Sequence, residues 1–416
     1  MKFFHTADIH FGVENYGRID QKTGIHTRLL DFADNLERIV TQAIDEKIDF
    51  FLFCGDAYKT AYPTPTQQKL FAQQLLRLHK ASIPVVIVVG NHDHPLSFGK
   101  AHALDVFSYL PVEGFHVFAK PERKTIQTKS GPIQIVGIPW PTRNHVITHN
   151  LHRFKSNNEI AAYIAERVGA IIQELVTQSD PAIPTIMAGH LTVSSGIFSG
   201  SEKCAIYGTD PIFLPSQLTF DQCDYVALGH LHRHQNLNPK GKAPIIYAGS
   251  LERVDFGERN EQKGFCCVTI DQQNPKARTC SYEFRQLPTR PMLHIEIALE
   301  EKADQTQQIL DALKAYDLQD AIVKIVYHIP DGKQDNVDLK QIQQACLPAM
   351  YVVGIHPIHK PTARERRPVL NIDMDFATLL NRYFETKEHQ QTKLATLIEK
   401  AFSLKQKVES SRQEQE

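Results

Sequence analysis

Pro84-Val-Val-Ile-Val-Val-Gly-Asn-His-Asp93 decides the reading of this chain. Its apolar run is too short and too β-branched for a helix, so it predicts a buried strand that delivers Asn91, His92 and Asp93 to a loop. Four other stretches end the same way. Residues 2–7 run into Asp8-Ile-His10, 50–54 into Gly55-Asp56, 184–188 into Gly189-His190, and 224–228 into Gly229-His-Leu-His232. If the five strands are neighbours in one sheet, their polar endings share the edge where open α/β sheets place ligands.

The endings offer Asp8, His10, Asp56, Asn91, His92, His190, His230 and His232, a mixture of carboxylate, amide oxygen and imidazole. Such donors suit borderline divalent metals, Mn, Fe or Zn. Eight groups are too many for one ion. Two ions ~3.5–4 Å apart, sharing a carboxylate, would use them well, clamping both oxygens of a phosphoester displacement and acidifying a water.

The remainder of the chain sets bounds on that chemistry. With 42% hydrophobic and 22% charged residues, 416 residues describe an ordinary globular protein with room for two or three domains. A net charge of −1 and a pI near 7.1 give no global field for a polyanion, which must be held locally or through metal ions. Seven cysteines without a C-x-x-C pair fit a reducing compartment better than a disulfide framework. No basic leader with an apolar core and no stretch of membrane-spanning length occurs, so the expected location is cytoplasmic. No G-x-x-x-x-G-K-[ST] loop is present, which excludes a Walker-type nucleotide site.

Along the chain, helical spacing predicts helices over 27–43, 66–81 and 158–175. Short strands over 115–119, 125–128 and 132–138 suggest a more antiparallel second sheet. Strands at 244–249, 264–270 and 280–287 close a first domain over 1–287, ahead of Pro288-Thr-Arg-Pro291. Residues 288–360 then alternate strand and helix as a small α/β cap. A basic linker with Arg364, Arg366 and Arg367 occupies 361–374, and 375–416 reads as a helical hairpin. Its stripes, Phe376, Leu379, Leu380, Tyr383 and Phe384, then Leu394, Leu397, Ile398, Ala401, Leu404 and Val408, have little to bury against each other and predict docking to another chain.

In their order, the five endings resemble the motifs of calcineurin-like metallophosphoesterases. The segment Gly249-Ser-Leu-Glu-Arg-Val-Asp-Phe-Gly-Glu258, the cap and the terminal hairpin make nearly the whole chain similar to SbcD-type nuclease subunits of DNA double-strand-break repair. The resemblance implies a sandwich of two β-sheets flanked by helices, with the cap and hairpin appended. It implies a first metal on Asp8, His10, Asp56 and His232, and a second on Asp56, Asn91, His190 and His230, with manganese as the ion. His92 would steady the phosphate or protonate the leaving oxygen, with Asp93 as its orienting partner.

The same resemblance implies 3′-to-5′ exonuclease action on duplex ends and endonuclease action on single strands and hairpins. It implies a homodimer through helices 66–81 and 97–110, joined to an SbcC-type coiled-coil ATPase in a heterotetramer. Lys59 stands where some relatives carry histidine, and could contact phosphate as a point charge. His5, His94 and His234 fall beside the pattern and read as supporting or surface residues. Two rivals are a phosphoesterase of small phosphodiesters, nucleotides or phosphoproteins and a non-catalytic scaffold on the same fold. The loop after Asp56 lacks the arginine of the protein-phosphatase G-D-x-x-D-R-G motif, and every ligand position is filled, which weighs against a phosphoprotein substrate and against the scaffold.

Overall fold

β1 (Lys2–Thr6), α1 (Thr27–Asp45), β2 (Phe50–Phe53), α2 (Pro65–Lys80) and β3 (Val85–Val88) open the chain in βαβαβ order. Each helix has a local reason to start where it does. Thr64 and Gln67 cap α2 reciprocally, with Pro65 in the first turn, and His26 accepts from the Arg28 N–H at the head of α1. A single turn, α3 (Val106–Tyr109), precedes β4 (Phe115–Phe118), β5 (Glu122–Thr128) and β6 (Gly131–Ile138). Then come α4 (Asn157–Thr177), β7 (Thr185–His190), the short β8 (Thr192–Val193) and β9 (Ile212–Phe213), β10 (Tyr225–Gly229), β11 (Gln235–Asn236), β12 (Ile245–Tyr247), β13 (Gly264–Asp271) and β14 (Thr279–Gln286). The computed structural model describes residues 1–95, 100–109, 113–142, 156–200, 210–274, 277–301, 303–359, 377–378 and 394–413.

These strands form two six-stranded sheets, β14-β13-β1-β2-β3-β4 and β11-β12-β10-β7-β6-β5. β1 to β4 run parallel, as do β6, β7, β10 and β12; the antiparallel strands sit toward the edges. Phe3, Phe50, Leu52, Val86 and Val88 of one sheet meet Ile135, Ile186, Tyr225, Ala227 and Ile246 of the other in one buried layer. Phe3 stacks on Phe50 at 4.5 Å. On the outer faces, α1 and α2 cover the first sheet with Phe32, Leu36, Phe71 and Leu75, and α4 covers the second with Ile164, Val168 and Ile172. Burial on both faces explains why β2 and β3 are apolar at every position, and each such side chain contributes about 1.5–3 kcal/mol.

Two expectations are corrected here. The strand at 115–119 belongs to the first sheet, parallel to β3, and the second sheet is parallel through its centre. Periodicity reports burial but not pairing direction. Of the helix expected over 97–110, the described residues hold only α3, after a turn at 103–105; 96–99 and 110 lie outside the described residues.

Beyond β14, β15 (Met292–Ala298), α5 (Gln305–Leu313), β16 (Ile322–Ile329), α6 (Leu339–Ala345) and β17 (Tyr351–His359) follow, and β15-β16-β17 form a three-stranded sheet. The chain divides into two compact units whose boundary crosses these strands. One comprises 1–295, 314–325 and 343–355, the other 296–313, 326–342 and 356–416. In the first, Met292, Ile322 and Met350 pack with Tyr16 and Phe256. In the second, His328 bonds Glu296 at 2.7 Å and the Asp338 N–H donates to Thr306 Oγ1 at 2.9 Å, joining the segments around α5 and α6. The last helix is α7 (Leu394–Gln413). The expected basic linker over 361–374 and the first hairpin helix, apart from 377–378, lie outside the described residues.

Candidate metal centre

Five strands, three from one sheet and two from the other, end at one place. β1 carries Asp8 and His10, β2 carries Asp56, β3 carries Asn91 and His92, β7 ends on His190, and β10 leads into His230 and His232. The shared edge is therefore built across the sandwich rather than along one sheet. Close packing of the ends demands glycine: a Cβ on Gly229 would lie 2.0 Å from the Cys54 carbonyl oxygen, and one on Gly90 would lie 2.1 Å from Asp56 Oδ1. Asp8, His10, Asp56 and His230 all take positive φ, 53°, 50°, 62° and 103°. Such backbone costs of order 1–3 kcal/mol per residue and concentrates at functional sites.

Hydrogen bonds fix each carboxylate. Asp8 accepts the His230 N–H at 3.0 and 3.1 Å, and the His10 N–H donates to the Asp56 carbonyl at 3.0 Å. Asp56 Oδ1 accepts the His92 N–H at 2.9 Å, which turns Oδ2 toward His190 Nε2 (3.4 Å) and His10 Nε2 (3.6 Å). Asp56 therefore stands between two imidazole groups, where a shared ligand would stand.

The ligand atoms converge on one another. His10 Nε2 faces His232 Nε2 at 3.0 Å. Asn91 Oδ1 lies 2.9 Å from His190 Nε2 and 3.2 Å from His230 Nδ1. His190 Nδ1 donates to the Cys54 carbonyl at 2.7 Å, so a neutral ring would present its Nε2 lone pair to the Asn91 oxygen. Positive charge is needed there, as a proton on His190 or as a metal cation. Among the described residues, His10 Nδ1 and His230 Nε2 are buried without a hydrogen-bond partner. Asp8, His10 and His232 could hold one ion, as could Asp8, Asp56 and His190, or His10, Asp56 and His92. The donor set fits divalent cations.

Electrostatics agree. Burial pushes Asp8 up to about 7, and holds His230 at about 3 and His10 well below its ordinary range. Burial would also raise Asp56, yet His190, His92 and His10 together hold it well below the usual carboxylate range. His190 is lifted to about 9, because Asp56 and Asp8 outweigh its burial. Neutral His10 and His230 are in the state that ligates metals.

His92 stands edge-on to His10, their ring centroids 4.9 Å apart, and its Nδ1 donates to the Lys59 carbonyl at 2.9 Å. This corrects the expected role of Asp93. The Asp93 carboxylate is fully buried and accepts the backbone N–H groups of Asp56 (2.9 Å), Ala57 (3.0 Å), Tyr58 (3.3 Å) and Gly90 (3.1 Å). It ties the β2 and β3 endings together, while the backbone of Lys59 orients His92. Of the flanking histidines, His5 is buried against Tyr225, and His234 bonds the Tyr247 carbonyl and stacks on Phe284 at 4.1 Å.

Sequence reasoning missed four residues. Glu258 accepts from His232 Nδ1 at 2.8 Å, and Lys263 pairs with Glu258 at 2.9 Å. Asp210 Oδ2 lies 4.0 Å from His230 Nε2. The Trp140 ring lies 4.8 Å from that of His230. Glu258 closes the Gly249–Glu258 segment, which was the available signal; the others carry no local pattern.

The family model of calcineurin-like phosphoesterases matches residues 1–234, more than half of the chain and all five strand endings. The chain belongs to the calcineurin-like phosphoesterase family. This phosphoesterase is a metal-dependent hydrolase of phosphoesters, and divalent ions are its cofactors. It is 25% identical over 362 residues to the SbcD component of the SbcCD nuclease of Staphylococcus epidermidis, covering 86% of this chain and 87% of that one. Among solved structures it is similar to a dimetal phosphatase from Danio rerio (12% identity, 64% of this chain, 92% of the other, TM-score 0.37). It is also similar to phosphopantetheinyl hydrolase from Mycobacterium tuberculosis (13% identity, 60% and 88%, TM-score 0.32). Among the described residues no helix is long and apolar enough to cross a membrane.

Proposed function

We propose that this phosphoesterase is a manganese-dependent DNA nuclease. One observation carries the reading: similarity to the SbcD nuclease component extends over 362 residues, well past the 234 of the phosphoesterase core. A match of that length takes in most of the residues expected to form the cap, and a substrate of small phosphodiesters alone would not call for them. Asp8, His10, Asp56 and His232 would hold one ion, and Asp56, Asn91, His190 and His230 the other. When bound, the ions supply positive charge that polarises the phosphoester and lowers the pKa of a water.

The chain's own residues do the remainder. With Nδ1 committed to the Lys59 carbonyl, His92 has Nε2 for the phosphate or for protonating the leaving oxygen. Lys59 can draw the DNA backbone by charge alone, which a chain of net charge −1 must do locally. The nuclease acts 3′ to 5′ on duplex ends and as an endonuclease on single strands and hairpins, in double-strand-break repair in the cytoplasm. It works as a homodimer with an SbcC-type ATPase, gripped by the terminal hairpin.

The test is cleavage of an end-labelled duplex and a hairpin by the purified chain with Mn²⁺, with and without chelator, beside a chromogenic phosphodiester. Chelator-sensitive DNA digestion is expected. Turnover of the small ester alone would discard the nuclease reading and leave a phosphoesterase of small diesters.

A further inference from the structure

His232 is the best-supported imidazole of the centre, and its support comes from one segment. A short 3-10 turn, Phe256–Glu258, begun by Asp255 accepting the Gly257 N–H, brings Glu258 to the Nδ1 edge of the ring. Glu258 Oε1 lies 2.8 Å from His232 Nδ1. A carboxylate oxygen can only accept, so Nδ1 carries the hydrogen and the neutral ring offers its lone pair at Nε2, the atom facing His10. Glu258 Oε2 is held in turn by Lys263 Nζ at 2.9 Å and by the Val254 N–H at 2.9 Å.

Lys263 grips the same histidine a second time, donating to the His232 carbonyl at 2.9 Å, and it also reaches Glu261 at 3.0 Å. Glu258 and Lys263 are buried. A buried ion pair is poor value for folding alone, since well-packed apolar residues of similar volume do as well or better. His10, the facing ring, shows the contrast: its Nδ1 is buried and has no hydrogen-bond partner among the described residues.

We propose that Glu258, clamped by Lys263, is the positioning residue that fixes the tautomer and orientation of His232 for the metal of the first site. The proposal rests on the reading of His232 as a metal ligand. Outer partners of this kind are worth about 10–100-fold in metal affinity.

The test compares two double variants of the full chain, Glu258→Leu/Lys263→Met and Glu258→Gln/Lys263→Met. Each removes both members of the buried Glu258–Lys263 pair and leaves the partly exposed Glu261 with Ser199, and they differ in whether an oxygen faces Nδ1. Mn²⁺ is titrated calorimetrically into each, and into wild type, His232→Asn and His190→Asn. In the Leu/Met variant one site should weaken about 10–100-fold, the same site that His232→Asn removes, with the other site unchanged. The Gln/Met variant should bind both ions nearly as wild type does. Wild-type affinity at both sites of the Leu/Met variant would overturn the proposal, as would equal weakening of both, which is loosening rather than positioning. A wild-type chain that takes up no Mn²⁺ would instead refute the metal centre itself, and the role of Glu258 with it.

Discussion

Two clusters of buried charge occupy the first unit, and they are wired in opposite ways. Around Arg28, cations and anions answer each other. Arg28 pairs with Asp31 at 2.7 Å and Glu252 at 3.8 Å, Arg290 Nε donates to Asp31 at 2.7 Å, and Glu252 accepts the N–H groups of Arg253 (2.7 Å) and Arg290 (3.1 Å). At the strand endings, acceptor-capable atoms crowd together instead: His10 Nε2 against His232 Nε2, and Asn91 Oδ1 against His190 Nε2, a contact that a neutral His190 could not satisfy. The first cluster pairs charge with charge and holds the fold, although Arg28 Nε, too, has no hydrogen-bond partner among the described residues. The second puts four residues at positive φ and leaves His10 Nδ1 and His230 Nε2 without a hydrogen-bond partner among the described residues; positive charge completes it, as a proton on His190 or as a metal cation.

The contrast can be broken by mutation. His92→Ala, in the open cluster but with its ring held from outside the ligand set, should lower kcat by about 10²–10⁴-fold while metal content stays normal. Loss of metal, measured by elemental analysis after dialysis, would return His92 to the ligands. Arg28→Met leaves Asp31 and Glu252 short of a partner, and should cost about 3–5 kcal/mol in denaturant unfolding without changing metal content in the folded protein. A variant of normal stability that had lost its ions would show the two clusters to be one.

His5 gives an intermediate case. It bonds Tyr225 at 3.0 Å, and burial holds its pKa at about 3, so the folded chain stays neutral where the unfolded chain, at its ordinary 6.5, takes up a proton. Its stabilisation is complete above about pH 6.5 and is lost as pH falls toward 3, at roughly 1.4 kcal/mol per pH unit. His5→Gln should flatten this acid limb in thermal melts from pH 7 to 4; an unchanged slope would show that other groups govern it. The smallest effect belongs to the exposed pair Arg77–Glu37, 3.4 Å apart. Glu37→Gln should shift unfolding free energy by less than about 1 kcal/mol, and a larger loss would mean that surface charge matters more than this contrast allows.

Much of this is legible in the sequence because the endings are local words: strand, glycine, then a polar side chain. Lys2–Thr6, Phe50–Phe53 and Val85–Val88 need no partner to be read. Pairing direction does need one, so Phe115–Phe118 reads from its sequence as part of the wrong sheet. Asp93 misleads by adjacency, since neighbours along a turn point opposite ways: His92 to the Lys59 carbonyl, Asp93 into four backbone N–H groups. The role of Glu258, although its segment stands out in the sequence, and that of Lys263 are hidden for a related reason. Their meaning lies in a contact with His232 across 26 and 31 residues, which no spacing rule encodes.

The central claim is that the strand endings form a two-ion centre with Asp56 between the ions. The most direct test is a crystal grown with Mn²⁺ and measured at the manganese absorption edge. Two anomalous peaks are predicted, one among Asp8, His10, Asp56 and His232 and one among Asp56, Asn91, His190 and His230. A map with no peak there, or with manganese bound only elsewhere, would contradict the account.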